Sequence, residues 1–413
     1  MAGSPINDEF ASVFPEILAP AGDPFKLKTA LAYGADAVYL AGDRFGLRQA
    51  ADNFLSEELR QGCAHAHSLG KQVYVTLNAF LFDDELKDVP AFLEELEDVG
   101  VDAVIVSDLG VFQTVKRLSN LNIHISTQAS TLNTYSAAFW KRMGAKRIVL
   151  GREVSIEEAI LIRREAGIEV ELFIHGAMCM AYSGHCTISN YTAGRDSNRG
   201  GCVQSCRFSY SLSEPGDPAS FNESSATTFI SSKDLRSIDL IPLLMESPID
   251  SLKIEGRNKS QLYVATVVRN YARAKKQAMA QAVIQCDSYR EDLEKMSFRG
   301  FTEASLREKA GRSSVYQHEI SQTSGYCMLG TVVDKRDGEY LAIHLRSEFQ
   351  VDDLIEVMAY DGMDIALPTH PIWDGSGNRI SSGKPNSVVF LPDHDAVSVG
   401  MILRKKTNGG ISC

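Results

Sequence analysis

The stretch Glu16-Ile-Leu-Ala-Pro-Ala-Gly-Asp23 is a short apolar strand that runs directly into a Pro/Gly turn ending in aspartate. Seven further β-rich runs follow it, and helical patterns lie between most of them. The eight runs are Glu16–Ala19, Ala37–Leu40, Lys71–Asn78, Ala103–Ser107, His124–Ser126, Arg147–Leu150, Val170–His175 and Ser251–Glu255. Eight strands alternating with helices predict an α/β fold of the TIM-like (β/α)8 barrel type, although an open doubly wound sheet also alternates.

The pattern changes after the last of these strands. From Gly325 the chain consists of short β-runs separated by turns such as Arg336-Asp337-Gly338, which is typical of hairpins. We therefore predict an N-terminal extension at residues 1–15, a barrel at 16–285, a linker at 286–324 and a small C-terminal β-barrel domain at 325–413.

Composition excludes several classes of protein. Of the 413 residues, 44% are hydrophobic and 23% are charged, which is ordinary for a globular protein with a core. No apolar run approaches the roughly 20 residues of a membrane helix, and the N-terminus lacks the basic and apolar regions of a signal peptide. We expect a soluble cytoplasmic protein without a membrane partner. The net charge of −11 argues against a surface that binds polyanions everywhere, but it leaves room for a local basic patch.

One interval breaks the strand–helix rhythm. Residues 176–250, which separate the last two predicted strands, form a segment long enough to suggest a function, and we call it the cysteine loop. It contains four of the eight cysteines, spaced Cys179-x6-Cys186-x15-Cys202-x3-Cys206. Polar residues and glycines also gather where the predicted strands end, which is where barrels of this type carry their active sites.

The four clustered cysteines are the predicted metal and cofactor ligands. Disulfides are disfavoured in a reducing cytoplasm, and four thiolates can enclose either Zn²⁺ or a [4Fe–4S] cluster. Structural zinc sites usually use two tight Cys-x2–4-Cys pairs, whereas only Cys202 and Cys206 form one here. The spacing favours iron–sulfur and leaves zinc open.

Five segments carry a family resemblance. Glu171–Cys186 resembles the signature of the peptidase U32 family, also called collagenase-like. Arg195–Arg207, Ser231–Leu235, Asp250–Arg257 and the opening strand Glu16–Asp23 resemble its other segments in the same order. The resemblance extends from residue 16 to about residue 275, with weaker support beyond.

Within that family, the chain is most similar to a branch that hydroxylates tRNA. The resemblance implies a tRNA uridine 5-hydroxylase that acts without oxygen on the wobble uridine. It also implies prephenate as hydroxyl donor, a [4Fe–4S] cluster on the four cysteines, and the anticodon region of tRNA as partner. Two alternatives remain: a collagenase-like peptidase, although His-Glu-x-x-His and Gly-x-Ser-x-Gly are absent from the sequence, and a non-catalytic iron–sulfur redox or scaffold protein.

The candidate catalytic residues lie at two strand ends. Lys253, Glu255 and Arg257 alternate along the last barrel strand, so their side chains share one face. His175 ends the preceding strand and adjoins the cysteine loop. Prephenate has two carboxylates, which calls for basic groups, and a base needs polar groups to orient it. The candidate substrate-binding residues are Arg44, Arg48, Asn78, Gln128, Arg152 and Glu153.

Other groups are candidates for contacts with tRNA. The local basic groups include Arg199 and Arg207, and two runs, Lys141–Arg147 and Arg404–Lys406, are predicted either to contact phosphates or to form a solvated face. Aromatic residues of the cysteine loop, such as Phe208, are predicted to stack on a base.

Overall fold

Ten strands form the larger sheet of the computed structural model, which describes residues 14–47, 53–211, 228, 230–315 and 325–407. They are β1 (Glu16–Pro20), β2 (Ala37–Leu40), β3 (Gln72–Leu77), β4 (Ala103–Val106), β5 (Asn122–Ile125), β6 (Arg147–Val149), β7 (Glu169–Gly176), β8 (Asp234–Arg236), β9 (Ser251–Ile254) and β10 (Phe301–Thr302). Strands β1 to β7 pair in parallel in chain order, and β9 closes the ring by pairing in parallel with both β1 and β7. The predicted (β/α)8 barrel is confirmed.

Helices cover the outside of this ring. They are α1 (Pro24–Ala32), α2 (Ser56–Ser68), α3 (Asp83–Leu86), α4 (Val89–Asp98), α5 (Leu109–Leu118), α6 (Thr134–Met143), α7 (Ile156–Ala166), α8 (Ile188–Ala193), α9 (Ile241–Met245), α10 (Gln261–Met279) and α11 (Cys286–Glu294). Their apolar faces and the strands form one continuous core. Strand β4, for example, is buried at every position, as expected of a parallel strand covered on both faces.

Local sequence explains where these elements begin and end. Helix α7 begins after a capping box, in which Ser155 Oγ accepts from the Glu158 amide at 3.2 Å and Glu158 Oε2 accepts from the Ser155 amide at 2.8 Å. It ends at Gly167, whose φ of +63° is a left-handed conformation that favours glycine. Because helices and strands alternate in this way, the carboxyl ends of the parallel barrel strands all lie at one rim of the barrel.

The C-terminal residues form a second, antiparallel sheet. Its strands and the adjoining short pair are β11 (Tyr326–Arg336), β12 (Tyr340–Leu345), β13 (Phe349–Gln350), β14 (Ile355–Val357), β15 (Ile365–Leu367), β16 (Ile372–Trp373), β17 (Arg379–Ile380), β18 (Ser382–Gly383), β19 (Val388–Pro392) and β20 (Ile402–Lys406). The order is β15-β14-β20-β11-β12-β19-β16-β17, with β13 and β18 paired separately. The predicted β-domain is present as a half-barrel with its own apolar core.

The predicted linker differs from the structure. Helix α11 and strand β10 fall within residues 286–324, and β10 pairs in parallel with β8. Tyr289 and Leu293 are buried in the barrel core. Residues 286–315 therefore belong to the barrel domain, because apolar side chains of this segment pack into its core.

A buried ionic network joins the two domains. Arg404 of β20, fully buried, lies 2.8 Å from Asp292 Oδ1 and also pairs with Asp364 and, at 3.0 Å, Glu356. Arg269 of α10 pairs with Asp292 at 2.6 Å and with Asp364. The prediction that Arg404 contacts tRNA phosphates is thus wrong, since its guanidinium is enclosed by carboxylates.

The predicted phosphate contact at Arg147 is wrong as well. Its side chain lies inside the barrel, where it pairs with Glu16 at 2.7 Å and Glu169 at 3.0 Å and lies 3.5 Å from Glu171. These charged side chains lie inside the barrel, and Arg147 and Glu171 are buried from solvent.

Candidate active site

One cavity lies at the rim where the carboxyl ends of the barrel strands meet. It encloses about 1050 Å³, part of it open to solvent. Its lining includes many of the predicted site residues, namely Cys179, Cys186, Cys202, Cys206, Asn78, Gln128, Arg152, Lys253, Glu255 and Arg257. The structure therefore brings the four thiols, three basic groups and a carboxylate around one space.

The cysteine loop is fastened over the rim by an arginine. Arg199 forms two hydrogen bonds to the Glu85 carboxylate, at 2.7 and 2.8 Å, and a third to the Phe80 carbonyl at 2.7 Å. Its guanidinium also lies 4.4 Å from the ring centre of Phe82. The bonds from Arg199 lower the pKa of Glu85, so the pair is charged at neutral pH. Arg199, one of the basic groups considered for tRNA, thus holds the loop.

A tight turn between the first two cysteines is held by the barrel. Ser183 has a φ of +49° in this turn, and Glu153 accepts hydrogen bonds from its amide at 2.8 Å and from its hydroxyl at 3.2 Å. The next residue but one, His185, bonds through Nε2 to the Gln128 carbonyl. Glu153, predicted to bind substrate, instead shapes the turn that presents Cys179 and Cys186.

The charges of the other three thiols act on Cys206. Burial raises the pKa of Cys206, Arg207 opposes this, and Cys179, Cys202 and Cys186 raise it further. Among the described residues, no three His, Cys, Asp or Glu side chains are grouped closely enough to hold a single metal ion. The thiols instead line the wall of a larger space.

Two of the basic groups in the cavity are partly neutralised by carboxylates. Lys253 Nζ lies 2.8 Å from Glu171 Oε1 in a pair that is almost fully buried, and 4.3 Å from the Tyr39 ring centre. Arg152 stacks on Phe173, with its guanidinium carbon 4.1 Å from the ring centre, and its nearest carboxylate, Glu255, lies 3.7 Å away.

The third basic group, Arg257, forms hydrogen bonds to two polar side chains. Arg257 donates to Thr76 Oγ1 at 3.3 Å and to Asn53 Oδ1 at 2.9 Å. Neither Thr76 nor Asn53 was predicted from the sequence. Thr76 could have been found, because it precedes Asn78 by two residues on β3 and so shares its face.

An amide pair also lines the cavity. Asn78 Nδ2 donates to Gln128 Oε1 at 3.1 Å, and the Ser126 hydroxyl donates to the same oxygen at 2.8 Å. This leaves the Gln128 amide nitrogen beside the cavity as a hydrogen-bond donor. The two predicted polar residues are thus adjacent and oriented by a third, Ser126.

His175 does not reach the cavity. It is 3% exposed, its Nδ1 lies 3.3 Å from the Tyr271 hydroxyl, and its ring packs against Tyr263 and Phe301. Burial lowers its pKa to about 3, so the imidazole is neutral at physiological pH. The register of β7 against β9 shifts between Phe173 and His175, and this irregularity turns His175 toward α10. The prediction that it is catalytic is wrong.

The predicted Arg44 lies elsewhere. Arg44 is partly exposed on the outer surface, where it lies 3.7 Å from Glu95 and stacks on Phe92 at 5.5 Å. It does not line the cavity, because the loop after β2 directs it toward α4. Arg48 lies outside the described residues.

Sequence comparison identifies the family. The description "Peptidase family U32" matches residues 22–316, and "Peptidase family U32 C-terminal domain" matches residues 324–404. The chain belongs to peptidase family U32. The match covers both domains and includes the cysteine loop, so the loop is part of the family's own domain.

Three relatives with curated names are similar over most of their length. The chain is 39% identical to tRNA hydroxylation protein P1 of Bacillus subtilis, covering 92% of this chain and 94% of that protein. It is 34% identical to tRNA hydroxylation protein P of Escherichia coli, covering 84% and 87%. It is 36% identical to an uncharacterized protease of Methanocaldococcus jannaschii, covering 75% and 77%.

Within the described ranges, no helix is both long enough and apolar enough to cross a bilayer.

Proposed function

We propose that this U32 protein is a tRNA-modifying enzyme that converts the wobble uridine to 5-hydroxyuridine without oxygen, with prephenate as hydroxyl donor. The observation that carries the proposal is the convergence of four thiols, Arg152, Arg257 and Glu255 on one cavity. Two relatives that are similar over most of both chains are named tRNA hydroxylation proteins, which supports hydroxylation of tRNA.

The donor set fits an iron–sulfur cluster. A [4Fe–4S] cluster takes four thiolates spread around its volume, and the four cysteines are disposed around one cavity wall. We propose Cys179, Cys186, Cys202 and Cys206 as its ligands. When bound, the cluster supplies a redox or Lewis-acid centre at the rim of the barrel. The Ile188 amide, 3.5 Å from Cys186 Sγ, is one donor that already bonds a ligand sulfur.

Prephenate would bind through its carboxylates. Arg152 and Arg257 present guanidinium groups to the cavity, and guanidinium matches carboxylate geometry with two parallel hydrogen bonds. Lys253 adds positive charge, but its pair with Glu171, at 2.8 Å, is closer than that of Arg152 with Glu255, at 3.7 Å. We therefore assign Arg152 and Arg257 to binding the carboxylates of prephenate. Lys253 contributes positive potential to the cavity.

The uridine base would lie between the amide pair and the carboxylate. Gln128 and Asn78 can hydrogen-bond a pyrimidine edge, because amides offer both a donor and an acceptor. Hydroxylation exchanges the C5 hydrogen for the hydroxyl group of the donor, so the donor takes up the two electrons that C5 loses and a base must move the C5 proton to it. Glu255 is the carboxylate of the cavity lining and is the candidate for this step.

A peptidase has less support in this geometry. A cysteine nucleophile needs a base within hydrogen-bond reach, usually histidine. None of the four loop cysteines, all of which the structure describes, hydrogen-bonds a histidine, and His185 is engaged with the Gln128 carbonyl.

The test is the modification state of tRNA. In the native host lacking this gene, nucleoside mass spectrometry should show that 5-hydroxyuridine and nucleosides derived from it are lost from tRNA. The wild-type gene should restore them and Cys202→Ala should not, whereas Cys286→Ala, a partly buried cysteine outside the loop, should restore them. Unchanged tRNA in the deletion strain would refute the proposal, and cleavage of gelatin by the purified protein would favour the peptidase.

A further inference from the structure

Three neighbouring helices of the barrel, α5, α6 and α7, have basic carboxyl ends. Each has two basic residues in its last turn, and Lys146 follows α6. Arg163 of α7 is neutralised by Asp250, at 2.7 Å. The other six are exposed, and none forms an ion pair with a described carboxylate. We call these six residues the basic face, and they are Lys116, Arg117, Lys141, Arg142, Lys146 and Arg164.

Contacts between the helix ends join these side chains into one surface. Lys116 of α5 donates to the Met143 carbonyl at the end of α6, and a Cβ added at Gly144 would lie 3.5 Å from its amine. Lys141 of α6 reaches the end of α7 in the same way, since a Cβ added at Gly167 would lie 2.7 Å from its amine. The lysine of one helix thus lies at the end of the next, so the three basic ends are adjacent.

The helix dipole does not explain why the basic residues are confined to these helices. A cation in the last turn stabilises any α-helix, so this effect alone would distribute basic residues around the whole barrel. Helices α1, α4, α9 and α11 have none in their last turn. The acidic residues outside ion pairs at the three basic ends are Glu165 and Glu97, which accepts from the Asn120 amide at 2.7 Å. Six cations and two carboxylates leave an excess of four positive charges, in a protein whose net charge is −11.

An exposed stripe on α6 connects the basic face with the rim of the cavity. Tyr135, Phe139 and Arg142 are spaced by four and three residues and therefore share one side of the helix. Tyr135 is 88% exposed and Phe139 is 44% exposed. Helix α6 begins six residues after Gln128 of the cavity lining, and its 10 residues span about 15 Å, or roughly four to five base-pair steps of a duplex. Basic groups interleaved with exposed aromatic rings are a combination with which proteins hold nucleic-acid strands.

We propose that the outer surface of α5, α6 and α7, including the basic face, binds the sugar–phosphate backbone of the tRNA whose wobble base occupies the cavity. The inference rests on the proposed function, because it takes the substrate to be tRNA. It adds a second contact, outside the cavity, that holds an arm of the tRNA along the barrel wall. Phosphates carry no sequence information, so this surface contributes affinity, and the choice of base is made in the cavity.

The test is tRNA affinity as a function of salt. It uses fluorescence anisotropy with full-length protein purified without oxygen and a labelled tRNA transcript that has uridine at the wobble position. The triple variant Arg117→Gln, Arg142→Gln and Arg164→Gln removes one charge from each helix end and should bind at least about tenfold more weakly than wild type. Its slope of log K against log salt should fall by about 2, because each phosphate contact contributes roughly 0.7 to 0.9.

Conservative and single variants separate charge from folding. Exchange of the same three arginines for lysine retains the charge and should keep the wild-type affinity. Lys146→Gln, which lies outside the helices, should lower the slope by about 0.7 to 0.9 without altering a helix end. In hydroxylation assays, the glutamine triple variant should have a raised KM for tRNA and an unchanged kcat, because the basic face lies outside the cavity.

A matched control removes three exposed charges from other parts of the surface. Lys28→Gln, Lys309→Gln and Lys384→Gln together give the same net charge and should leave affinity and slope at their wild-type values. If wild type binds the transcript and the two glutamine triple variants behave alike, the inference is refuted and the proposed function stands. Lost hydroxylation with unchanged tRNA binding in the first triple variant would also refute it, and would indicate a surface for another protein. If wild type binds no tRNA, the proposed function and this inference fail together.

Discussion

Replacement of His175 by glutamine should make the protein less sensitive to acid and leave its activity intact. Burial, with smaller contributions from Arg236 and Lys259, lowers the pKa of His175 from 6.5 to about 3. At pH 5 the imidazole is therefore protonated in the unfolded chain but neutral in the folded one. Stability that is present above pH 6.5 is lost as the pH falls toward 3. For this residue the loss is about 2 kcal/mol at pH 5.

Urea unfolding of wild type and His175→Gln at pH 7 and pH 5 measures this difference. Glutamine does not titrate and can still bond the Tyr271 hydroxyl. The decrease in the free energy of unfolding between the two pH values should be smaller in the variant by about 2 kcal/mol. His370→Gln, an exposed histidine, should behave as wild type. Equal pH dependence in wild type and His175→Gln, or loss of tRNA hydroxylation in His175→Gln at pH 7, would refute this account of His175.

Three further predictions concern the domain interface, the cysteine loop and the cavity. Arg404→Met should lower the free energy of unfolding by about 3 kcal/mol, measured by denaturation, because Asp292, Asp364 and Glu356 each lose one of their cationic partners at the domain interface. Glu85→Gln should release Arg199, so that limited proteolysis cuts the cysteine loop faster. Arg152→Leu should weaken prephenate binding, measured by calorimetry, by at least about tenfold, because a charge-assisted pair is lost.

Each of these has a matched control. Lys406→Met changes an exposed residue of the same strand and should leave stability unchanged. Glu94→Gln changes an exposed carboxylate of α4 and should not alter proteolysis. Arg152→Lys should retain part of the prephenate affinity. A variant that behaves as its control would contradict the role given to the residue it replaces.

The barrel could be predicted from the sequence because each strand is a separate apolar run. All eight predicted strands coincide with observed ones, and the alternation of Lys253, Glu255 and Arg257 places all three on the cavity wall. Strand periodicity of two residues is a strong constraint when one face must point into a closed barrel. The position of the cysteine loop at the rim follows from the same topology.

The predictions that the structure contradicts are those in which tertiary packing outweighs the local sequence pattern. His175 continues the alternation of β7, but the shifted register against β9 turns it toward α10. Arg404 looks like part of a basic surface run, yet Asp292, which is far from it in sequence, encloses it at the domain interface. The segment predicted as a linker is polar enough to resemble one, while Tyr289 and Leu293 bury it. Contacts between distant residues decide each of these, and local sequence does not contain them.

The proposed mechanism depends on one [4Fe–4S] cluster held in the cavity by Cys179, Cys186, Cys202 and Cys206. The direct measurement is the iron and sulfide content of protein purified without oxygen, with its absorption and EPR spectra, for wild type, Cys186→Ala and Cys286→Ala. Wild type and Cys286→Ala should each contain about four irons and four sulfides per chain and show a broad visible absorption band. Cys186→Ala should lose the iron, the sulfide and the band. Colourless wild-type protein that contains one zinc, or that stays metal-free after anaerobic reconstitution, would contradict it.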